Sequence, residues 1–417
     1  MSPRSQAYVF TLNLAAIGLS FVHITIVARA LGDQLFGIYS FLNNQVLLVA
    51  PALALVPHLI FWIKNDRDLE EEDKNAIFET LQSLSFRIPL LLLIPLALAI
   101  ATLSPLGIQA WPTSALAAVI ALLPMPQNFF FSLMQIRDRF PLTVWIQVGG
   151  AGVRVITITA LVFLGQKGVN AGLISVLAGA TFIVLTCWSF RSNSASPQRH
   201  SHREGTALLR ATLKRKVFPL LLPTSLLCIW LVALNSGDIF FARFYLNETD
   251  LSVYSLNSSV ARLAMILPSV LIPLLLESGY RERLLPQTRS TRRSLLAYGI
   301  TIALGFVLSC SLYLIGPFLA HTVFARLFDL NAVHLFSLSF SMTLLACASF
   351  VVNFKFGAGR RRSLYYSIAC YAGFVMSLLA FPPENLQGYI KRIIGLAIVN
   401  LGVVLFEVLG APEQSAN

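Results

Sequence analysis

Residues 88–108 read IPLLLLIPLALAIATLSPLGI, a run without one charged side chain. A helix rises about 1.5 Å per residue, so ~20 such residues cross the ~30 Å hydrocarbon core of a bilayer. No water satisfies the backbone there, and a helix satisfies its own. Outward from this run the same texture recurs. Spans are expected at 7–30, 36–62, 86–108, 112–134, 142–164, 169–190, 217–242, 251–277, 294–317, 331–353, 363–382 and 387–409. The chain therefore reads as an all-α membrane protein with about 12 transmembrane helices. Composition agrees. Of 417 residues, 56% are hydrophobic and 12% charged, roughly half the charged share of a soluble domain. Mean hydropathy is +0.73.

The formal charge of +12 is not a nucleic-acid signal, because no basic patch is interleaved with aromatics on a polar face. Lys and Arg gather instead on alternate connections. These hold Arg4, then Lys64 to Arg87, Arg137 with Arg139, the series from Arg191 to Lys216, that from Arg281 to Arg293, and Lys355 to Arg362. The connections between them carry little beyond Lys167 and Arg326. Basic residues stay on the cytoplasmic side, which puts both termini and all the basic connections in the cytoplasm. The apolar run from Arg4 to Ala28-Arg29-Ala30 is too long for a signal-peptide core of ~7–15 residues and reads as an uncleaved first helix. The acidic run 66–73 reads as a solvated loop. The five cysteines all lie in apolar runs and read as small hydrophobes. There is no metal-ligand pattern, Gly-rich phosphate loop or nucleophile elbow, so neither cofactor nor metal is expected.

The chain repeats itself. Residues 31–46, LGDQLFGIYSFLNNQV, align with residues 246–261, LNETDLSVYSLNSSVA, at an offset of 215. Leu31 meets Leu246, Asp33 meets Glu248, Tyr39 meets Tyr254 and Ser40 meets Ser255. Pro51 and Pro57 have near counterparts in Pro268 and Pro273. Six spans separate the copies, so both halves point the same way, as in transporters built from parallel repeats. The organisation expected is an N-terminal six-helix lobe (1–190), a basic cytoplasmic linker (191–216) and a C-terminal six-helix lobe (217–417). His200 and His202, in a Ser- and Pro-containing linker, read as solvated.

Ionisable groups inside spans are costly and are functional candidates by default. Arg154 falls midway along the fifth span and Arg262 midway along the eighth; Arg29 and Arg243 lie near span ends. Neither mid-span arginine has an acidic neighbour one turn away on its own helix. Guanidinium stays charged when desolvated and grips phosphate bidentately, so such a cavity suits phosphate or pyrophosphate. The alternative is that each arginine snorkels or pairs with a carboxylate on another helix. Asp238 and His23 coincide under the repeat offset. They read either as an ion-coupling pair or as interhelical hydrogen bonding. Asn43 and Asn44 add neutral polar groups that read either as hydrogen bonding between helices or as contacts for sugar hydroxyls.

The turn ARALGDQLFGIYSFLNN, with Arg29, Leu31-Gly32 and Gly37-Ile38-Tyr39, resembles that of bacterial polysaccharide flippases of the multidrug/oligosaccharidyl-lipid/polysaccharide exporter superfamily. Asp238, Val253-Tyr254-Ser255 and Arg262-Leu263 resemble the second-half pattern. The resemblance implies a transporter, not an enzyme, flipping undecaprenyl-pyrophosphate-linked oligosaccharide across the bacterial inner membrane by alternating access, as in O-antigen biosynthesis. The substrate contacts expected from the charge and polarity of the spans are Arg154, Arg262, Arg29, Asn43 and Asn44. The resemblance also implies membrane lipid and the pathway's polysaccharide polymerase and glycosyltransferases as partners. The proline-bearing second and eighth spans would bend. The alternatives are a multidrug–cation antiporter of the same superfamily and a membrane-embedded glycan polymerase or glycosyltransferase.

Overall fold

A computed structural model describes residues 3–45, 59–60, 63–64, 70–104, 108–136, 139–192, 218–262, 290–323, 332–357 and 361–409. Among them every regular element is helical. The chain divides into two compact units, Met1–Phe240 and Phe241–Asn417. The expected linker 191–216 falls almost wholly outside the described residues, as do His200, His202, Pro51, Pro57, Pro268 and Pro273.

The first unit holds α1 (Pro3–Asn43), α2 (Glu71–Leu103), α3 (Trp111–Leu122), α4 (Pro124–Ile136), α5 (Phe140–Phe163), α6 (Val169–Ser192) and α7 (Phe218–Val232). A π-helical turn, Ala233–Gly237, then leads into α8 (Asp238–Tyr245), which carries the chain into the second unit. That unit continues with α9 (Glu248–Ala261), α10 (Ser290–Phe318), α11 (Ala332–Gly357), α12 (Arg362–Ala380) and α13 (Leu386–Leu409).

Eight helices among the described residues are long and apolar enough to cross a membrane, which makes this a multi-pass membrane protein. They match the expected spans that begin at residues 7, 86, 112, 142, 169, 331, 363 and 387. The spans 36–62 and 251–277 run onto residues outside the described set. In 217–242 the apolar helix Leu222–Val232 stops at the π turn, which divides the expected span. One expectation is corrected. The acidic run does not stay a loop to its end, because Glu71, Glu72 and Asp73 form the first turn of α2. Carboxylates favour that position, facing the free N–H groups of a helix start. At 33 residues α2 is about 50 Å long, well beyond the ~30 Å apolar core.

Within the first unit α6 is the hub, packing on α1, α3, α4 and α5. Lipid tails are as apolar as Leu, so close backbone approach at small residues holds such helices together. A Cβ on Gly150 of α5 would lie 3.2 Å from the Gly179 carbonyl of α6, and one on Gly179 would lie 2.6 Å from the Gly150 carbonyl. In the second unit α11 is the hub, against α9, α10, α12 and α13. Gly305 of α10 admits Thr343 of α11, and the Ser309 and Ser339 hydroxyls share a hydrogen bond at 3.0 Å.

The repeat is visible in local structure. Gly32 interrupts α1 with φ 71° and ψ −173°. Its partner at the offset is Asn247, which stands before α9 with φ −66° and ψ 169° and caps it by accepting from the Asp250 N–H at 2.8 Å. Both halves break the helix at the same position by different chemistry. Glycine tolerates positive φ, and asparagine satisfies a free N–H at a helix start. Seven residues later Tyr39 packs on Gly172 of α6, while Tyr254 meets Tyr389 of α13 edge-on at 5.1 Å. Each tyrosine is buried against the last described helix of its own half.

Candidate functional site

One face of α6 presents Gly172, Ser175 and Gly179, three and four residues apart, so they stack on successive turns. Each receives one side chain from a neighbouring helix. A Cβ on Gly172 would come within 2.8 Å of the Tyr39 ring, so the ring takes the space that a side chain there would need. Ser175 Oγ sits 2.7 Å from His23 Nε2. Gly179 lies under the Arg154 stem, with Nε 2.9 Å from where a Cβ would stand. Without those glycines neither Tyr39 nor Arg154 could lie against the helix.

The result is a polar cluster inside apolar surroundings. His23 is 4% exposed and Tyr39 3%. Arg154 acts electrostatically on both. Its Nε is buried, and its guanidinium makes no hydrogen bond or ion pair among the described residues. A guanidinium offers five donors and is costly to leave unsatisfied away from water. The His23 and Tyr39 side chains bring no negative charge at neutral pH, so the cluster is net positive. Its chemistry is that of an anion receptor.

The other expected site residues are placed as follows. Arg29 is exposed, three residues before the break at Gly32. Asn43 is half-buried at the end of α1. Asn44 donates its amide to the Ser40 carbonyl at 2.7 Å, closing its own helix end. Asp238 is buried in the first turn of α8. Arg262 is half-buried just past the end of α9, in the second unit. The structure thus brings His23 and Arg154 together. Tyr39, Ser175 and Gly179 join them, although the sequence offered only Tyr39 as part of a motif.

No family model matches the chain, and no curated protein matches it in sequence. Solved structures do match in fold. The lipid II flippase MurJ in its inward closed conformation superposes with a TM-score of 0.65 at 14% identity, over 99% of this chain and 88% of that one. The Vibrio cholerae MATE transporter VcmN gives 0.58 at 13% identity, over 96% and 97%. The eukaryotic MATE transporter AtDTX14 gives 0.53 at 14%, over 97% and 94%. At such identities the likeness establishes the fold. This is an all-α membrane protein with the fold shared by MurJ and the MATE transporters.

Proposed function

We propose that the chain is a flippase of the multidrug/oligosaccharidyl-lipid/polysaccharide exporter superfamily. It carries undecaprenyl-pyrophosphate-linked oligosaccharide across the bacterial inner membrane by alternating access, with both termini cytoplasmic. The observation that carries this is Arg154, a half-buried residue with its Nε buried, whose guanidinium lies near a histidine and a tyrosine and meets no carboxylate among the described residues. An anion of the lipid-linked substrate supplies the missing partner. Guanidinium and pyrophosphate match in geometry as well as charge. A fold shared with a lipid II flippase supports the same reading. Arg262 is proposed as a second contact, and Arg29, Asn43 and Asn44 as contacts for the glycan side.

The test is complementation of glycan export in a strain lacking the chain. Arg154→Ala removes charge-assisted hydrogen bonds worth about 1.5–3 kcal/mol each, an expected loss of at least tenfold in export at normal membrane levels. Arg154→Lys keeps the charge but not the fork and falls between. Arg262→Ala is expected to lower export independently. Wild-type export from Arg154→Ala rejects the site.

The multidrug reading has one observation in its favour: the chain spans 97% of VcmN but only 88% of MurJ. A cationic drug, however, needs a carboxylate near it, and none pairs with the Arg154 cluster among the described residues. Altered drug sensitivity on deletion, with normal glycan export, would favour that reading.

A further inference from the structure

Resting on that anion-site reading, we propose that His23 makes anion binding proton-linked: an anion settling against Arg154 arrives together with a proton on His23 Nδ1. The argument begins with Ser175. Its Oγ lies 2.6 Å from the Gly172 carbonyl, an acceptor only, so the hydroxyl proton is committed there. Toward His23 the same oxygen can then only accept. The contact at 2.7 Å is therefore an Nε2–H donating to Ser175 Oγ, and the network assigns the tautomer. Nδ1 is left as a bare acceptor with no hydrogen-bond partner among the described residues. It is the atom on which a second proton would sit.

The surroundings decide when that proton is tolerated. Arg154 of α5 is the charge acting on His23. On α6 the facing group is the Ser175 hydroxyl. The other titratable side chains of α6, Cys187 and Arg191, lie three or more turns beyond Ser175. No residue of α3 titrates. On α1 itself Tyr39 lies over Gly172. The helix α8, with Asp238, meets α1 through Phe240 stacked on Phe41, about five turns from His23. No carboxylate pairs with His23 among the described residues. An imidazolium beside an unneutralised guanidinium lacks a counter-charge. An anion on Arg154 provides one, and its oxygens can accept from Nδ1–H. By linkage, whatever the anion does for the proton the proton does for the anion. The proton is taken from water as the anion enters and returned as it leaves, with no other bond made or broken.

The probe is a diester of pyrophosphate carrying one methyl on each phosphorus, chosen because it does not itself titrate near neutrality. Calorimetry on the purified full chain, in two buffers of different ionisation heat, reads the protons taken up per anion bound. The expected result is an uptake approaching one proton. The accompanying gain in affinity approaches tenfold per unit of falling pH only below the pH at which the anion-bound imidazole loses its proton, and it flattens above that point. His23→Gln can still donate to Ser175 but has no basic nitrogen; its binding is expected to show no proton uptake and no slope. Equal heats in both buffers for the wild type, or an undiminished slope in His23→Gln, overturns the inference. The wild-type buffer pair decides the matter alone if the variant does not fold. Absence of probe binding at every pH overturns the anion site itself, and this inference with it.

Discussion

Gly179→Ala probes the Arg154 site without removing a polar group. The added Cβ would stand 2.6 Å from the Gly150 carbonyl and 2.9 Å from Arg154 Nε. Ordinary contact begins near 3.4 Å, so α5 and α6 must part by about 0.8 Å, and the Arg154 stem, whose Cγ would lie 2.4 Å away, must shift as well. Overpacking of this kind costs about 1–3 kcal/mol in stability. The backbone at 179 is helical, so no φ strain adds to it. A purely structural effect would lower the melting temperature in detergent and leave anion affinity intact. The cluster geometry demands more: displacing the guanidinium should weaken probe binding by about tenfold, since a charge-assisted hydrogen bond is worth about 1.5–3 kcal/mol. The decisive comparison is a double-mutant cycle with Arg154→Ala. Once Arg154 is gone, Gly179→Ala should cost stability but no further affinity. Independent, additive losses of affinity would refute the claim that Gly179 acts through Arg154.

Three other outcomes follow from local geometry. Gly32→Ala forces an L side chain to φ 71° and ψ −173°, a region open essentially to glycine, and should cost about 1–3 kcal/mol, read as a lower melting temperature. At the matching position Asn247→Ala should cost about 1 kcal/mol by loss of the α9 cap, whereas Asn247→Gly should cost only a few tenths. Ser175→Ala strands the His23 Nε2–H and should cost about 1–3 kcal/mol, visible as faster exchange of that ring proton in NMR.

The architecture was largely legible because hydrocarbon imposes a coarse rule. Length and apolarity located the spans that the structure presents as long helices, and a sparse polar match located both helix breaks. The rule says less where several structures satisfy it. Nothing in LLPTSLLCIWLVALNSGD marks the π turn at Ala233–Gly237, and Glu70 to Asp73 carries charge that suits a loop and a helix start equally. Arg154 was conspicuous because a mid-span cation is rare. Ser175 and Gly179 were not, since glycine and serine recur throughout these spans as packing residues. Their role depends on which neighbour lies over them, and that is a tertiary fact.

The repeat clarifies why the candidate site sits where it does. Both halves keep the helix break, Gly32 or Asn247, and the buried tyrosine seven residues on. They do not keep the charge. Beside the break, His23 corresponds to Asp238. On the last helix the tyrosine contacts set the match, Tyr39 on Gly172 and Tyr254 on Tyr389, so Gly172, Ser175 and Gly179 correspond to Tyr389, Arg392 and Leu396. The small-residue face that makes room for a guanidinium therefore exists only in the first half. The shared break belongs to the framework of the fold, and the charge with its glycine bed belongs to the site proposed for the cargo.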